Sequence, residues 1–138
     1  MKILRLMLCA VVLVALASCG GSKYDAAKAK DLCEKIEKAT PEAPLSDEDV
    51  AAIIDQCEAM YTVAADKAKE VDFDQAKYEE WEATPEAKDM FGYDKTFERY
   101  LATAKLSEEN QKKLEAAREN VKKLAEEIQK GFEEKAKK

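Results

Sequence analysis

The sequence predicts an all-α fold, a small bundle of four or five helices behind a cleaved N-terminal signal peptide. Three observations lead there. Apolar residues recur at helical spacing in several separate stretches. The prolines Pro41, Pro44 and Pro85 fall between those stretches, since proline cannot sit in a helix interior. Ser46 and Ser107, each followed by acidic residues, have the composition of helix starts. The 138 residues, 46% hydrophobic and 38% charged, suit one compact helix-rich domain rather than a disordered tail or a disulfide-dense scaffold. The reading divides the chain into a leader (1–18), a short segment beginning at Cys19 (19–23) and a helical domain (24–138).

The leader begins with two positive charges, Lys2 and Arg5, followed by the apolar run Leu6 to Ala17. That run has 12 residues, whereas a spanning helix needs about 20. A basic start, a short apolar core and small residues after it make a secretory signal. In the mature part, Tyr24 to Ala39 reads as the first helix, with Ala29, Leu32, Cys33 and Ile36 on one face. Thr40-Pro41-Glu42-Ala43-Pro44 ends it. Ser46 caps the second helix, and Asp47-Glu48-Asp49 suit its positive dipole end. Leu45 and Val50 have the spacing of a hydrophobic staple. The stripe Val50, Ile53, Ile54, Cys57, Met60, Tyr61 runs on to a stop near Val71. The short connection makes these two helices antiparallel neighbours.

Asp72 to Glu82 reads as a short helix, with Asp72 and Gln75 at capping-box spacing. Thr84-Pro85-Glu86 is a breaker with proline suited to a first helical position. Met90-Phe91-Gly92-Tyr93 reads as a loop, and Asp94 as the cap of a helix to Lys105. Ser107 caps the final helix, whose seam is Leu114, Ala117, Val121, Leu124, Ile128 and Phe132. Six Glu-to-Lys pairs stand at i,i+4 along it, from Glu108/Lys112 to Glu134/Lys138. Each adds about 0.3 kcal/mol. Ala-Thr-Pro-Glu-Ala occurs twice, at 39–43 and 83–87, as a shared breaker and without a solenoid period.

Leu16-Ala17-Ser18-Cys19 resembles the lipobox of bacterial lipoproteins: a Leu, two small residues and an acceptor Cys. The resemblance implies that diacylglycerol is attached to the Cys19 thiol and that cleavage just before it makes Cys19 the first mature residue. Gly20-Gly21-Ser22 then reads as a flexible tether. Each buried methylene contributes about 0.8 kcal/mol, so two or three acyl chains give lasting attachment to the membrane. Gly rather than Asp at position 20 is compatible with the outer membrane, by the sorting rule of diderm bacteria. A competing reading is Ala15-Leu16-Ala17 as an ordinary cleavage site releasing a protein that begins at Ser18. In style, the chain is similar to the small, charged helical lipoproteins of Bacteroides-type bacteria, a similarity that implies no activity.

Of four cysteines, Cys9 leaves with the leader and Cys19 takes lipid. Cys33 and Cys57 remain, each on an apolar stripe, and the expected exported compartment favours a disulfide between them. Such a bridge stabilises by about 3 kcal/mol; the alternative is two buried thiols acting as small hydrophobes. The net charge is −6, and loss of Lys2 and Arg5 leaves 21 basic against 29 acidic residues, or −8. An acidic body does not bind nucleic acid by phosphate neutralisation.

There is no His, which excludes Ser-His and Cys-His pairs and His-ligated zinc. No phosphate-binding or dinucleotide glycine loop is present, and no G-x-S-x-G. Asp47-Glu48-Asp49, Asp72-x-Asp74 and Glu79-Glu80-x-Glu82 read as caps and solvated faces rather than calcium or glycosidase sites. No metal, cofactor or catalytic residue is expected.

The best binding candidates are aromatic: seven of the ten aromatics fall between Phe73 and Tyr100. Trp81, Tyr78, Phe91 and Tyr93 flank the breakers and are the candidate binding residues, against the plainer role of filling the core. The reading is a lipid-anchored envelope protein and a non-enzymatic binding or scaffold module, with an envelope protein or glycan as partner. The alternative is a small envelope enzyme, or an accessory subunit of one, acting on cell wall or glycan through a carboxylate. An exposed aromatic patch favours the first; a cleft holding a carboxyl with a raised pKa favours the second. Metabolic labelling with a palmitate analogue is expected to mark the protein, and Cys19→Ala to abolish the mark; label that persists in the variant contradicts the anchor.

Overall fold

Residues 23–137 are described by the structure, a computed structural model. The leader, Cys19 and residues 20–22 of the tether lie outside them, as does Lys138. The described residues form five helices and no strand: α1 (Ala26–Lys38), α2 (Asp47–Glu70), α3 (Gln75–Glu82), α4 (Pro85–Thr103) and α5 (Glu108–Ala136). No helix among them is long and apolar enough to cross a membrane.

Each helix starts where a side-chain oxygen can take the orphan amides of its first turn. Asp25 accepts from Ala27 and Lys28, Ser46 from Asp49, Asp74 from Lys77, Thr84 from Ala87 and Ser107 from Asn110. Two starts differ from expectation. Asp74, not Asp72, caps α3, because Asp72 and Phe73 turn the chain with φ of 53° and 55°. And α4 runs unbroken from Pro85, which occupies its first turn, straight through Gly92. A helical glycine costs about 1 kcal/mol. Burial of Met90, Phe97 and Leu101 on the same helix outweighs that. The expected loop at 90–93 is therefore helix, and Asp94 is an interior residue rather than a cap.

Cross-helix contacts fix the directions. Lys35 meets Asp49 at 3.2 Å and the Asp25 amide donates to Gln56 at 2.9 Å, so α1 and α2 are antiparallel as expected. The Leu45 amide donates to the Tyr100 hydroxyl at 3.4 Å, which puts the end of α4 beside the start of α2. Between α2 and α5, Asn110 donates to the Asp47 carbonyl, Lys113 pairs with Asp55 at 2.8 Å, Asn120 bonds Glu58 and Lys69 pairs with Glu127. Both numbers rise together, so these two long helices are parallel, with α3 and α4 carrying the chain back between them.

Helix α2 is the centre. Ten of its 24 residues are buried, and it packs against α1, α4 and most extensively α5. The core joins Leu32, Ile53, Met60, Met90, Phe97 and Leu101. Two buried amides tie helix starts to it. Gln56 accepts from the Asp25 amide and donates to the Lys23 carbonyl. Asn110 reaches Asp47. On α5, of the expected i,i+4 ion pairs only Glu108–Lys112 closes among the described residues, at 3.9 Å. Lys113 and Lys135 reach off their own helix instead, to Asp55 and Asp72.

The expected Cys33–Cys57 disulfide is not formed; both are free thiols. Helix α4 packs against both α1 and α2 more fully than they pack on each other. It brings Thr96 beside Cys33 and Asp94 beside Cys57.

The turn after α2 is held by its aromatic. A left-handed Phe costs about 1 kcal/mol or more. The Phe73 amide compensates by donating to Ala68 at 2.8 Å, and its ring meets Phe132 edge-on at 5.6 Å. That ring lies on Gly131, where a Cβ would overlap it. Gly131→Ala is expected to cost about 1–3 kcal/mol, seen as a lower melting temperature. In a Phe73→Ala background the same substitution is expected to stabilise, by helix propensity. Stabilisation by Gly131→Ala alone contradicts this packing.

Candidate functional site

Because α1 and α4 cover one flank of α2 and α5 the other, α4 and α5 share no packed seam. The gap between them is floored by α2 and closed at one end by α3. It holds a cleft of about 230 Å³. Met60, Tyr61 and Ala64 form the floor, Tyr78 and Phe91 one wall, and Ala125 and Ile128 the other. Glu82 and Asp94 are the ionisable carboxyls of an otherwise largely apolar lining. Tyr61 also borders a second groove alongside, which contains Cys57, Glu98, Leu114 and Val121.

Three of the four aromatic candidates come together here. Tyr78 and Trp81 lie 5.3 Å apart, Trp81 and Phe91 5.9 Å, and Tyr78 and Phe132 5.2 Å. With Phe73 beyond Phe132, five rings make a continuous ladder along α3 and the ends of α4 and α5. All five are half-buried. Tyr78 and Phe91 line the cleft and Trp81 braces both from behind. The fourth candidate, Tyr93, is not in the site. It sits on the α1 side of α4 as an electrostatic neighbour of Tyr24.

Asp94 is the electrostatic oddity. Burial first, and then Glu98, push its carboxyl up to about 6, against a partial lowering by a hydrogen bond from Cys57. Its Oδ1 is buried without a hydrogen-bond partner. Burial, and then Glu79, likewise raise Glu82. Burial raises the Cys57 thiol far above its ordinary range, with Asp94 and Glu98 adding to it. The Tyr61 and Tyr78 phenols are raised by burial too. Cys57 Sγ and oxygens of Asp94 and Glu98 cluster closely enough to hold a metal ion among the described residues.

Sequence reasoning misses Asp94 because it reads as a helix cap, and misses Glu98 because nothing in the expected helix from Asp94 to Lys105 points to a partner for it. One signal was available: Phe91, Asp94 and Glu98 stand at i, i+3 and i+7, on a single helical face. Searched against family models, curated proteins and solved structures, the chain has no match.

A group whose folded pKa is raised binds its proton more tightly when folded. In metal-free protein, Asp94 therefore destabilises the fold as pH rises from roughly 4, its unfolded value, through about 6. Asp94→Asn removes that charge. Denaturant unfolding is expected to show the variant more stable than the parent at pH 8 and nearly equal to it at pH 4; equal stability at pH 8 contradicts the assignment.

Proposed function

We propose that this is a lipid-anchored protein of the cell envelope, carried on the outer membrane through Cys19, and that it acts as a non-enzymatic docking module. The cleft between α4 and α5 takes one compact apolar anchor, an aromatic or branched aliphatic side chain presented by an envelope protein partner. The observation that carries this reading is the cleft's size and lining. At about 230 Å³ it is smaller than the usual pocket for a drug-sized ligand. It matches the kind of pocket into which a single hot-spot residue inserts. Tyr78 and Phe91 supply flat, well-braced walls, and the acidic rim orients the partner.

A second reading, a small enzyme or accessory subunit acting on wall or glycan through a carboxylate, is favoured by one observation: the raised Asp94 carboxyl in the cleft. Against it, the largely apolar lining offers few groups for sugar hydroxyls, whose burial without hydrogen bonds is costly. Release of products from purified wall material, lost in Asp94→Asn, is the result this reading requires.

Ala125 is exposed and lines the cleft, so Ala125→Trp fills the cleft without removing a core side chain. With a photo-crosslinker at Gln129 on the cleft wall, the parent is expected to capture a defined neighbour in cells. Ala125→Trp is expected to abolish that capture while keeping its helical content and melting temperature. Unchanged capture by the filled variant contradicts docking at the cleft.

A further inference from the structure

Asp94 and Glu98 stand one turn apart on α4 and face Cys57 on α2. The Cys57 Sγ and one oxygen from each carboxylate all lie within 4.8 Å of one another. Several features separate this trio from a solvated acidic face. The thiol belongs to a second helix and to a residue only 6% exposed. Asp94 Oδ1 is buried with no donor, a state that in native proteins calls for an explanation such as a bound ion. Among the described residues no Lys or Arg pairs with Asp94 or Glu98. The charges these groups carry work against one another: Glu98 disfavours ionisation of Asp94, and both disfavour the Cys57 thiolate.

We propose that Cys57, Asp94 and Glu98 form a binding site for a divalent cation of the zinc class. The donor set selects the ion. One thiolate with two carboxylates suits a borderline-soft cation, whereas calcium and magnesium take oxygen ligands alone. Bond lengths of about 2.3 Å to sulfur and 2.0–2.2 Å to oxygen place tetrahedral ligands roughly 3.5 Å apart. Side-chain rotation draws the trio in to that spacing. Helical i,i+4 geometry presents the two carboxylates together, and α2 fixes the sulfur. Tyr61 stands beside the cluster, its phenol raised in part by all three groups. A fourth position opens on the groove that Cys57 and Glu98 line with Leu114 and Val121, where a water completes the shell.

Binding releases the Cys57 proton to solvent, together with any proton on Asp94, so affinity rises with pH. The cation neutralises two of the three negative charges and gives the orphan oxygen its partner. The site also ties α4 to α2 at the edge of the cleft. It stands whether or not the cleft docks a protein.

The test is titration of the reduced full chain in detergent with Co²⁺, read by absorption. The expected result is a thiolate-to-cobalt charge-transfer band that saturates at one equivalent and is displaced by Zn²⁺. Cys57→Ser is expected to lose the band and Cys33→Ser to keep it. Glu98 is exposed, so Glu98→Gln keeps the fold and is expected to weaken Co²⁺ binding at least about tenfold, in the range lost when a metal site is disturbed. The Glu98→Gln result decides if Cys57→Ser fails to fold. Absence of the band, a band that survives Cys57→Ser, or an affinity that Glu98→Gln leaves unchanged overturns the site.

Discussion

A helix apolar on more than one side has to be covered on more than one side, and α2 imposes that constraint on the whole molecule. Its buried residues, Ile53, Cys57, Ala65 and Ala68 among them, are covered by α1, α4 and α5 together. Burying an aliphatic side chain contributes roughly 1.5–3 kcal/mol, so α2 concentrates much of the stabilisation of a small domain. Once two separate partners are seated on it, the space between them is left over. That space is the cleft. The parallel course of α2 and α5 follows as well, since α3 and α4 must carry the chain back before α5 can begin.

The local rules of helix formation were readable in the residues themselves. Ser46, Ser107 and Pro85 stand where the structure puts helix starts, and the stripe on α2 is the buried one. Reading failed where tertiary packing overrode local preference. Gly92 looked like a breaker, but Met90, Phe97 and Leu101 bury enough surface to hold the helix through it. Phe73 looked helical, but a left-handed turn seats its ring on Gly131. The cysteines share stripes on antiparallel neighbours, yet α4 packs against both helices, and no spacing along the chain encodes that third partner. Asp94 is hidden for a local reason, because a residue assigned to a cap is not asked what its far side meets. The leader and the lipobox resemblance lie outside the described residues and remain with the sequence.

The aromatics of the ladder pack into the structure while staying half-buried. Phe73, Phe132, Tyr78, Trp81 and Phe91 form one ladder whose rings hold α3 against the ends of α4 and α5. Edge-to-face pairs of this kind are worth about 0.5–1.5 kcal/mol each beyond their burial. The same bracing stiffens Tyr78 and Phe91 as cleft walls. On the proposed reading, a stiff wall loses little conformational freedom when a partner arrives, which lets a small pocket support useful affinity. On the same proposed reading, lipid at Cys19 confines this pocket to the membrane surface, where a modest intrinsic affinity suffices because the effective concentration is high.

If α2 is the element on which the others depend, it cannot open while they stay folded. Native-state hydrogen exchange measures this directly, because each amide reports the free energy of the opening that exposes it. The account predicts that amides from Ile53 to Ala68 exchange only with global unfolding, while those of the half-buried second half of α5, beyond Val121, open at lower free energy. Exchange of the α2 interior through local openings well below the global value would contradict it.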